Sequence, residues 1–227
     1  QVAFGLPSIG GKDSMSGTFE HISVPPTLIA FGITTVPADK VVSPELKKTG
    51  NKLYLIKHNA LANYMPNVEQ LKENWTYTTN AIQSGKICAA YALGFGGVAE
   101  AIAKMSFGNE LAVDIQIAEN ELFDYNYGSI LVEATEELSP LASGVPEKSA
   151  DFWGALSPNS LIALGEVTDG THLVINAERV SREVLLKACC GQFEKIYPSA
   201  VVAQHQALMP AGIKSLNTKH STLNYNG

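Results

Sequence analysis

Residues 86–117 carry the clearest secondary-structure pattern in the chain, and they read KICAAYALGFGGVAEAIAKMSFGNELAVDIQI. Residues 87–93 form an apolar run of strand length, and residues 111–117 alternate apolar and polar side chains as a half-buried strand does. Between them, apolar residues recur at the spacing of a helix that packs on a sheet. The order strand, helix, strand predicts helices layered on a sheet. The buried stripe of the helix is predicted to be Val98, Ile102 and Met105.

Outside this stretch, strand and helix patterns continue without a repeated period. Asp169 and Gly170 are a two-residue hairpin signal between two apolar runs. Mixed elements with a hairpin predict the fold class α/β, in its α+β form, rather than a doubly wound parallel sheet. The further predicted strands cover residues 27–35, 51–56, 128–134, 161–167 and 171–175.

Two further helices are predicted from apolar spacing. The first lies within residues 58–85 and ends at Gly85. The second follows Ser181, a residue that caps helices well. Their inward faces are predicted to be Val68, Leu71, Trp75 and Thr78 in the first helix, and Val184, Leu185, Ala188 and Phe193 in the second.

Composition excludes several classes of protein. The chain has 227 residues, of which 45% are hydrophobic and 17% charged, so it is long and apolar enough to bury a core. Its net charge of −6 and the lack of a Lys/Arg cluster argue against nucleic acid as a partner. No apolar run reaches the ~18 residues of a membrane span, and no signal peptide opens the chain. We therefore expect a cytoplasmic protein that has no membrane partner.

Cysteines, histidines and acidic residues give no sign of a metal site. Cys88, Cys189 and Cys190 lack CxxC spacing, which argues against both a disulfide framework and zinc. The five histidines are scattered, and no pair has ligand spacing. The carboxylates Glu133, Glu136 and Glu137 are predicted to form a solvated strand end.

Residues 7–18, PSIGGKDSMSGT, are the first stretch that could carry chemistry. The paired glycines Gly10 and Gly11 let a ligand approach the backbone, and Lys12 supplies a point charge. The GxxxxGK[ST] pattern of a P-loop is absent. From these residues alone, a phosphate- or nucleotide-binding loop stays open beside a solvated Gly/Ser turn with a Lys–Asp pair, and the turn is the more frequent of the two.

Residues 94–97, GFGG, are the second stretch, because they precede a helix whose N-terminus could hold an anion. The spacing is not GxGxxG, and Phe95 lies in the middle. The pattern therefore favours a tight strand-to-helix turn over an anion site.

Residues 11–16, GKDSMS, resemble a motif of the large, single-chain form of phosphoribosylformylglycinamidine synthase. The order of later motifs is similar to that family over about residues 5–200. The supporting stretches are residues 25–32, 42–47, 93–101 and 104–109. The fold implied is that of the aminoimidazole-ribonucleotide-synthetase-like superfamily.

The resemblance implies an ATP-dependent ligase of purine biosynthesis. That enzyme uses ATP, Mg²⁺ and glutamine to convert formylglycinamide ribonucleotide to its amidine. The family's synthetase region holds two similar copies, each with an N-terminal and a C-terminal domain. Residues 1–57 would be the end of the second, β-rich N-terminal synthetase-type domain, and residues 58–200 the complete second C-terminal α/β domain. Residues 201–227 would be a linker or arm toward a glutaminase domain. The implied partners are the remaining synthetase domains, that glutaminase domain and the nucleotide substrate, and ATP and Mg²⁺ would be held by the full-length enzyme rather than by this chain alone.

The resemblance also implies roles for single residues. Lys12 would neutralise a phosphate or a developing oxyanion, with Ser14 as the second catalytic residue. Asp13 would orient Lys12 or help to organise a metal. The remaining contacts to substrate or phosphate would come from Gly10, Gly11, Ser14 and Ser16.

One part of the chain departs from the family pattern. Many members carry HDxSDGG before the helix, whereas residues 91–97 read YALGFGG. Ala92 and Phe95 stand at the two aspartate positions, and Gly94 stands at the serine position. A site without carboxylates does not hold Mg²⁺ in the same way. We therefore expect that this part of the chain does not bind the second nucleotide that the family holds as a structural cofactor. The alternatives are a superfamily enzyme with another substrate, such as a selenide-water-type dikinase or a thiamine-phosphate kinase, and a structural domain-pairing module that binds no nucleotide.

Overall fold

The computed structural model describes residues 2–6, 11–12, 17–25, 29–30, 32–140 and 160–194. The chain forms two compact units, residues 1–182 and 183–227. In the first unit, two short antiparallel pairs precede the main sheet. They are β1 (Gly11–Lys12) with β4 (Ile29–Ala30), and β2 (Gly17–Phe19) with β3 (Ile22–Val24).

The main sheet has seven strands in the order β11-β10-β7-β9-β5-β8-β6. All neighbouring strands are antiparallel except β10 and β7, which are parallel. The strands are β5 (Lys52–Ile56), β6 (Ile87–Ala92), β7 (Ala112–Ile115), β8 (Ile130–Ala134), β9 (Leu161–Thr168), β10 (His172–Ile175) and β11 (Glu178–Ser181).

Among the described residues of the first unit, the helices are α1 (Val68–Gln83), α2 (Gly97–Phe107) and the single turn α3 (Glu119–Leu122). Asn67 caps α1 by accepting a hydrogen bond from the Gln70 N–H. A further helix, α4 (Arg182–Cys190), begins at the last residue of the first unit and continues into the second.

The core lies around β5, whose residues from Leu53 to Ile56 are all buried. A strand buried on both faces reads as a continuous apolar run, which is how residues 53–56 read in the sequence. A cluster of buried side chains joins α1 to the strands β5, β6 and β8, and its members are Tyr54, Ile56, Tyr77, Ala81, Ile87, Val132 and Ala134.

The predicted fold class is confirmed, because helices accompany a mixed sheet. The predicted stripe of α2 is also confirmed, since Val98, Ile102 and Met105 are at most 1% exposed. The strand predicted at 27–35 is shorter, and residues 32–35 are not a strand.

The hairpin predicted at residues 169–170 is wrong. β9 and β10 are not neighbours, because β7 lies between them. The true hairpin joins β10 to β11 through Asn176 and Ala177, whose φ angles of 51° and 71° are those of a two-residue turn that matches the twist of the strands. An Asp-Gly pair therefore reverses the chain here without pairing the strands that flank it.

The inward faces predicted for two helices are partly wrong. In α1, Leu71 and Thr78 are buried, but Trp75 is 39% exposed and its ring stacks on Phe4 at 4.9 Å. In α4 no residue is buried, and Val184 is 63% exposed. Ser181 is the last residue of β11 and α4 follows it directly. Apolar spacing gives a helix a possible inward face, but burial depends on what packs against it.

The prediction that Glu133 is solvated is wrong as well. Its side chain is fully buried and accepts hydrogen bonds from the backbone N–H groups of Lys47 (2.7 Å) and Lys48 (3.0 Å) and from Asn51 Nδ2 (2.6 Å). Three donors replace the lost water, so the carboxylate fastens the loop before β5 to β8. Burial, and next the charge of Glu133, raise the pKa of the neighbouring Cys88 thiol to about 11.

The domain division at residue 57 stays a prediction, although β5, which it assigned to the first domain, is a central strand of the main sheet. The predicted arm at 201–227 lies outside the described residues. Among the helices that the structure describes, none combines the length and the apolar character of a membrane span.

Candidate functional site

Several loops of the first unit meet at one edge of the main sheet. Ile130 at the start of β8 lies opposite Ile56 at the end of β5 and opposite Ala92 at the end of β6. Leu161 at the start of β9 also lies opposite Ile56. The segments that follow β5 and β6 and the segment that precedes β8 therefore leave the sheet at the same edge, which we call the loop edge. Loops gathered on a rigid scaffold commonly carry binding sites.

The predicted glycine–lysine loop belongs to the small β1–β4 pair. Gly11 pairs with Ala30 and Lys12 with Ile29. Gly10, Asp13, Ser14 and Ser16 lie outside the described residues. Their roles, and that of Lys12, stay predictions.

The glycine turn before α2 lies at the loop edge. Gly97 has a φ of +63°, and a Cβ at this position would lie 2.5 Å from the Asp124 carbonyl oxygen. Only glycine fits there without displacement of the backbone. The predicted strand-to-helix turn is thus confirmed.

The N-terminus of α2 already receives a carboxylate from the chain itself. Glu100 folds back so that its Oε2 accepts a hydrogen bond from the Gly96 N–H at 2.8 Å. A Cβ at Gly96 would lie 2.6 Å from the Glu100 Cβ, so this approach needs glycine. Lys104 Nζ lies 2.5 Å from Glu100 Oε1. The Lys104 hydrogen bond, and next that from Gly96, lower the pKa of Glu100, so the carboxylate carries its charge at neutral pH.

The structure places two residues of the departing stretch on the surface. Ala92 is exposed, and the Phe95 ring is 77% exposed. Within the described ranges, no three His, Cys, Asp or Glu side chains group as metal ligands would. The carboxylate that contacts the backbone of this turn, Glu100, is already engaged with Lys104 and Gly96.

A cleft of about 820 Å³ opens at the loop edge. It is lined by residues 57–62 and 124–127 together with Tyr64 and Pro66. Its size falls within the usual range for small-molecule sites. The sequence analysis did not identify this cleft.

Three aromatic rings form a row that we call the aromatic row: Phe95 stacks on Tyr125, and Tyr125 and Tyr127 line the cleft. Phe95 and Tyr125 are stacked, with ring centroids 5.4 Å apart and planes at 4°. Tyr127 follows at 5.8 Å from Tyr125 with a tilt of 45°. The three rings are 77%, 47% and 57% exposed. Tyr64, also in the cleft lining, is 91% exposed and has a φ of +60°, which is unusual for a bulky residue.

A buried histidine fixes both walls of the cleft. His58 is 2% exposed, and its Nδ1 donates to the Tyr127 carbonyl at 2.7 Å. Its Nε2 accepts from the Asn67 N–H at 3.0 Å, and its own backbone N–H donates to Ser129 Oγ at 2.9 Å. A ring that donates at one nitrogen and accepts at the other is the neutral imidazole. His58 therefore has a structural role, as a clamp between the two loops.

Side chains of helix α1 hold the loop after β5 in place through hydrogen bonds to its backbone. Asn74 Nδ2 donates to the Lys57 carbonyl at 3.0 Å, and Gln70 Oε1 accepts from the Asn59 N–H at 2.7 Å. Gln70 Nε2 continues to Ser160 Oγ at 2.9 Å. Lys57 forms an ion pair of 2.5 Å with Glu121 on α3. The wall of the cleft that the loop after β5 forms is therefore held by hydrogen bonds from α1 and by an ion pair with α3.

Sequence reasoning missed this site because nothing periodic marks it. Tyr125 and Tyr127 lie in a loop, and Phe95 comes from a different segment. The one available signal was the density of aromatic residues in residues 123–128, FDYNYG, next to turn residues.

No protein-family model matches the chain. Among solved structures, Thermotoga maritima PurL complexed with ATP is similar to it with a TM-score of 0.46 and 12% identity, over 66% of this chain and 28% of that chain. Phosphoribosylformylglycinamidine synthase II of Thermotoga maritima gives 0.46 and 14% over the same shares. The hydrogenase maturation protein HypE gives 0.41 and 11%, over 62% of this chain and 53% of that chain. The match thus spans 28% of the PurL chains, and TM-scores of this size carry no conclusion about activity.

Proposed function

We propose that this chain is part of an ATP-dependent carbon–nitrogen ligase of the phosphoribosylformylglycinamidine synthase kind. The observation that carries the proposal is the contiguous stretch of residues 11–16, GKDSMS. In the full-length protein, Lys12 would bind an anionic group of the substrate or of ATP in a site that other domains complete.

The donor set of this loop fits phosphoryl-transfer chemistry. Such reactions depend on positioning and charge neutralisation more than on reactive side chains. Bound ATP would supply the phosphoryl group that activates the formamide oxygen. Lys12 would neutralise charge on the transferred group, Ser14 and Ser16 would donate hydrogen bonds, and Gly10 and Gly11 would leave room for close approach.

The turn before α2 does not fit a magnesium-bound nucleotide. Ala92, Gly94 and Phe95 offer no side-chain oxygen, and Glu100 is engaged with Gly96 and Lys104. A phosphate would have to displace the Glu100 carboxylate from the Gly96 N–H, and the two negative charges would repel each other. We therefore derive no catalytic step there and assign the anion-binding role to the loop of Lys12.

A second candidate function is a structural module that pairs with other domains and binds no nucleotide. The observation in its favour is that the N-terminus of α2 is closed by Glu100. The two candidates differ in the role of Lys12, since a structural module needs no cation at that position.

Kinetics of the full-length protein separate the two candidates. We expect Lys12→Ala to lower glutamine- and ATP-dependent amidine formation by about 100-fold, the usual loss when one donor to a developing oxyanion is removed. Lys12→Arg keeps the charge and should retain more activity. Lys72→Ala, which removes an exposed lysine of α1, is the matched control and should leave turnover unchanged. Unchanged turnover in Lys12→Ala would favour the structural module.

A further inference from the structure

We propose that the cleft at the loop edge binds a planar, uncharged heteroaromatic ring, which packs against Tyr64, Tyr125 and Tyr127. The proposal does not depend on the proposed ligase activity. Three kinds of observation carry the proposal: the exposure of the rings, the fixed walls and the charge of the lining.

The exposed rings are the first step. Aromatic side chains bury large apolar surfaces when they can, yet the three tyrosines of the lining are between 47% and 91% exposed. Tyr125 has one neighbour in parallel stacking, Phe95, which braces its ring. Exposed, braced rings are the usual platform for a flat heteroaromatic ligand, because stacking tolerates many ring types.

The rigid walls are the second step. The carbonyl of Tyr127 and the N–H of Asn67 are both held by the buried ring of His58. Gly128 has a φ of +92°, and a Cβ there would lie 2.5 Å from Leu71 Cδ2, so the chain beside Tyr127 is tightly seated. A preformed cleft loses little entropy when it binds a ligand, which is how fixed walls raise affinity.

The charge of the lining is the third step. Among the described residues that line the cleft, two have charged side chains, Lys57 and Asp124. Lys57 forms an ion pair with Glu121 at 2.5 Å, and Asp124 is an acidic residue. Within that described lining no cation is left without a counter-charge, so a phosphate would gain nothing there. An uncharged ring is the ligand that this lining favours.

The test is titration of the 227-residue chain with adenosine and with thymidine, a purine and a pyrimidine probe without phosphate, followed by amide NMR. We expect saturable shifts in residues 57–66 and 124–127 with at least one nucleoside. AMP, used as the phosphate-bearing match of adenosine, should bind within about twofold of adenosine if phosphate adds nothing. The absence of a saturable shift with either nucleoside, or binding of AMP more than about tenfold tighter than adenosine, would overturn the proposal.

Matched variants locate the binding. Tyr125→Ala and Tyr127→Ala should each weaken it at least about fivefold, the effect of losing one stacked ring. Tyr125→Phe keeps the ring and should keep the affinity. Phe123→Ala removes a neighbouring ring that is 68% exposed but outside the lining, and should change nothing. Equal weakening by Phe123→Ala and Tyr125→Ala would contradict the site.

Discussion

The chain carries two glycine-rich stretches that resemble anion sites in sequence, and they differ in the charge beside the glycines. Residues 10–17 place Lys12 directly after paired glycines. Residues 94–97 are followed on the next helical turn by Glu100, whose carboxylate takes the Gly96 N–H. In both stretches the glycines only allow a ligand or side chain to approach the backbone closely. The charged residue nearby decides whether an external anion or the chain's own carboxylate occupies the position.

Replacement of Glu133 should lower the stability most, because its carboxylate accepts hydrogen bonds as Glu100 does but is fully buried. Glu133→Ala leaves the Lys47 and Lys48 N–H groups and Asn51 Nδ2 without their acceptor. We expect a loss of about 3 kcal/mol in the free energy of unfolding, measured by urea denaturation. The exposed neighbour Glu137 is the control, and Glu137→Ala should cost less than about 0.5 kcal/mol. Equal losses would show that the buried contacts do not fasten the loop.

The next effect tests whether the second glycine stretch is structural. Gly97→Ala combines a positive φ with a contact of 2.5 Å to a backbone oxygen, and should cost about 2–3 kcal/mol of unfolding free energy. Gly85→Ala has a similar φ, +78°, but nothing within 4 Å, and should cost about 1 kcal/mol. If both variants lose the same stability, the close packing of Gly97 on Asp124 contributes nothing.

The smallest effect is the stability that Glu100 provides. Its ion pair with Lys104 is partly exposed, with side chains 27% and 43% exposed, so solvent screens it. We expect Glu100→Gln to cost less than about 1 kcal/mol at neutral pH. The lowered pKa of folded Glu100 means that this contribution is present above the pKa of the unfolded chain and is lost as the pH falls through the folded value. Thermal melts of wild type and Glu100→Gln should therefore converge as the pH falls, while Glu119→Gln, at an exposed glutamate of α3, is the control and should melt close to wild type at neutral pH.

The sequence predicted the parts of the fold that have a strong period. The apolar stripe of α2 is buried as predicted, and the strand predicted at 51–56 is β5. The predicted hairpin was wrong, because the turn residues Asp169 and Gly170 carry no information about β7, which lies between β9 and β10. Burial of Glu133 was also out of reach, since its three donors come from a loop more than 80 residues away in the chain.

The site was predicted less well than the fold. A glycine stretch can be seen in a sequence, but the return of Glu100 to Gly96 depends on the rotamer of one side chain. The aromatic row joins residues from separate segments, and only the register of β5, β6 and β8 places those segments at one edge. Sites assembled from loops have no period to read.

Phosphate titration of the chain, with the amide signal of Gly96 followed by NMR, tests most directly whether Glu100 closes the N-terminus of α2 to external anions. The wild-type signal should not move in a saturable way, because Glu100 already holds that N–H. In Glu100→Ala the N-terminus of α2 is free to bind an anion, and the Gly96 signal should shift with saturation. A saturable shift of Gly96 in the wild-type chain would show that the carboxylate does not close this position, and would contradict the assignment of the anion-binding role to Lys12.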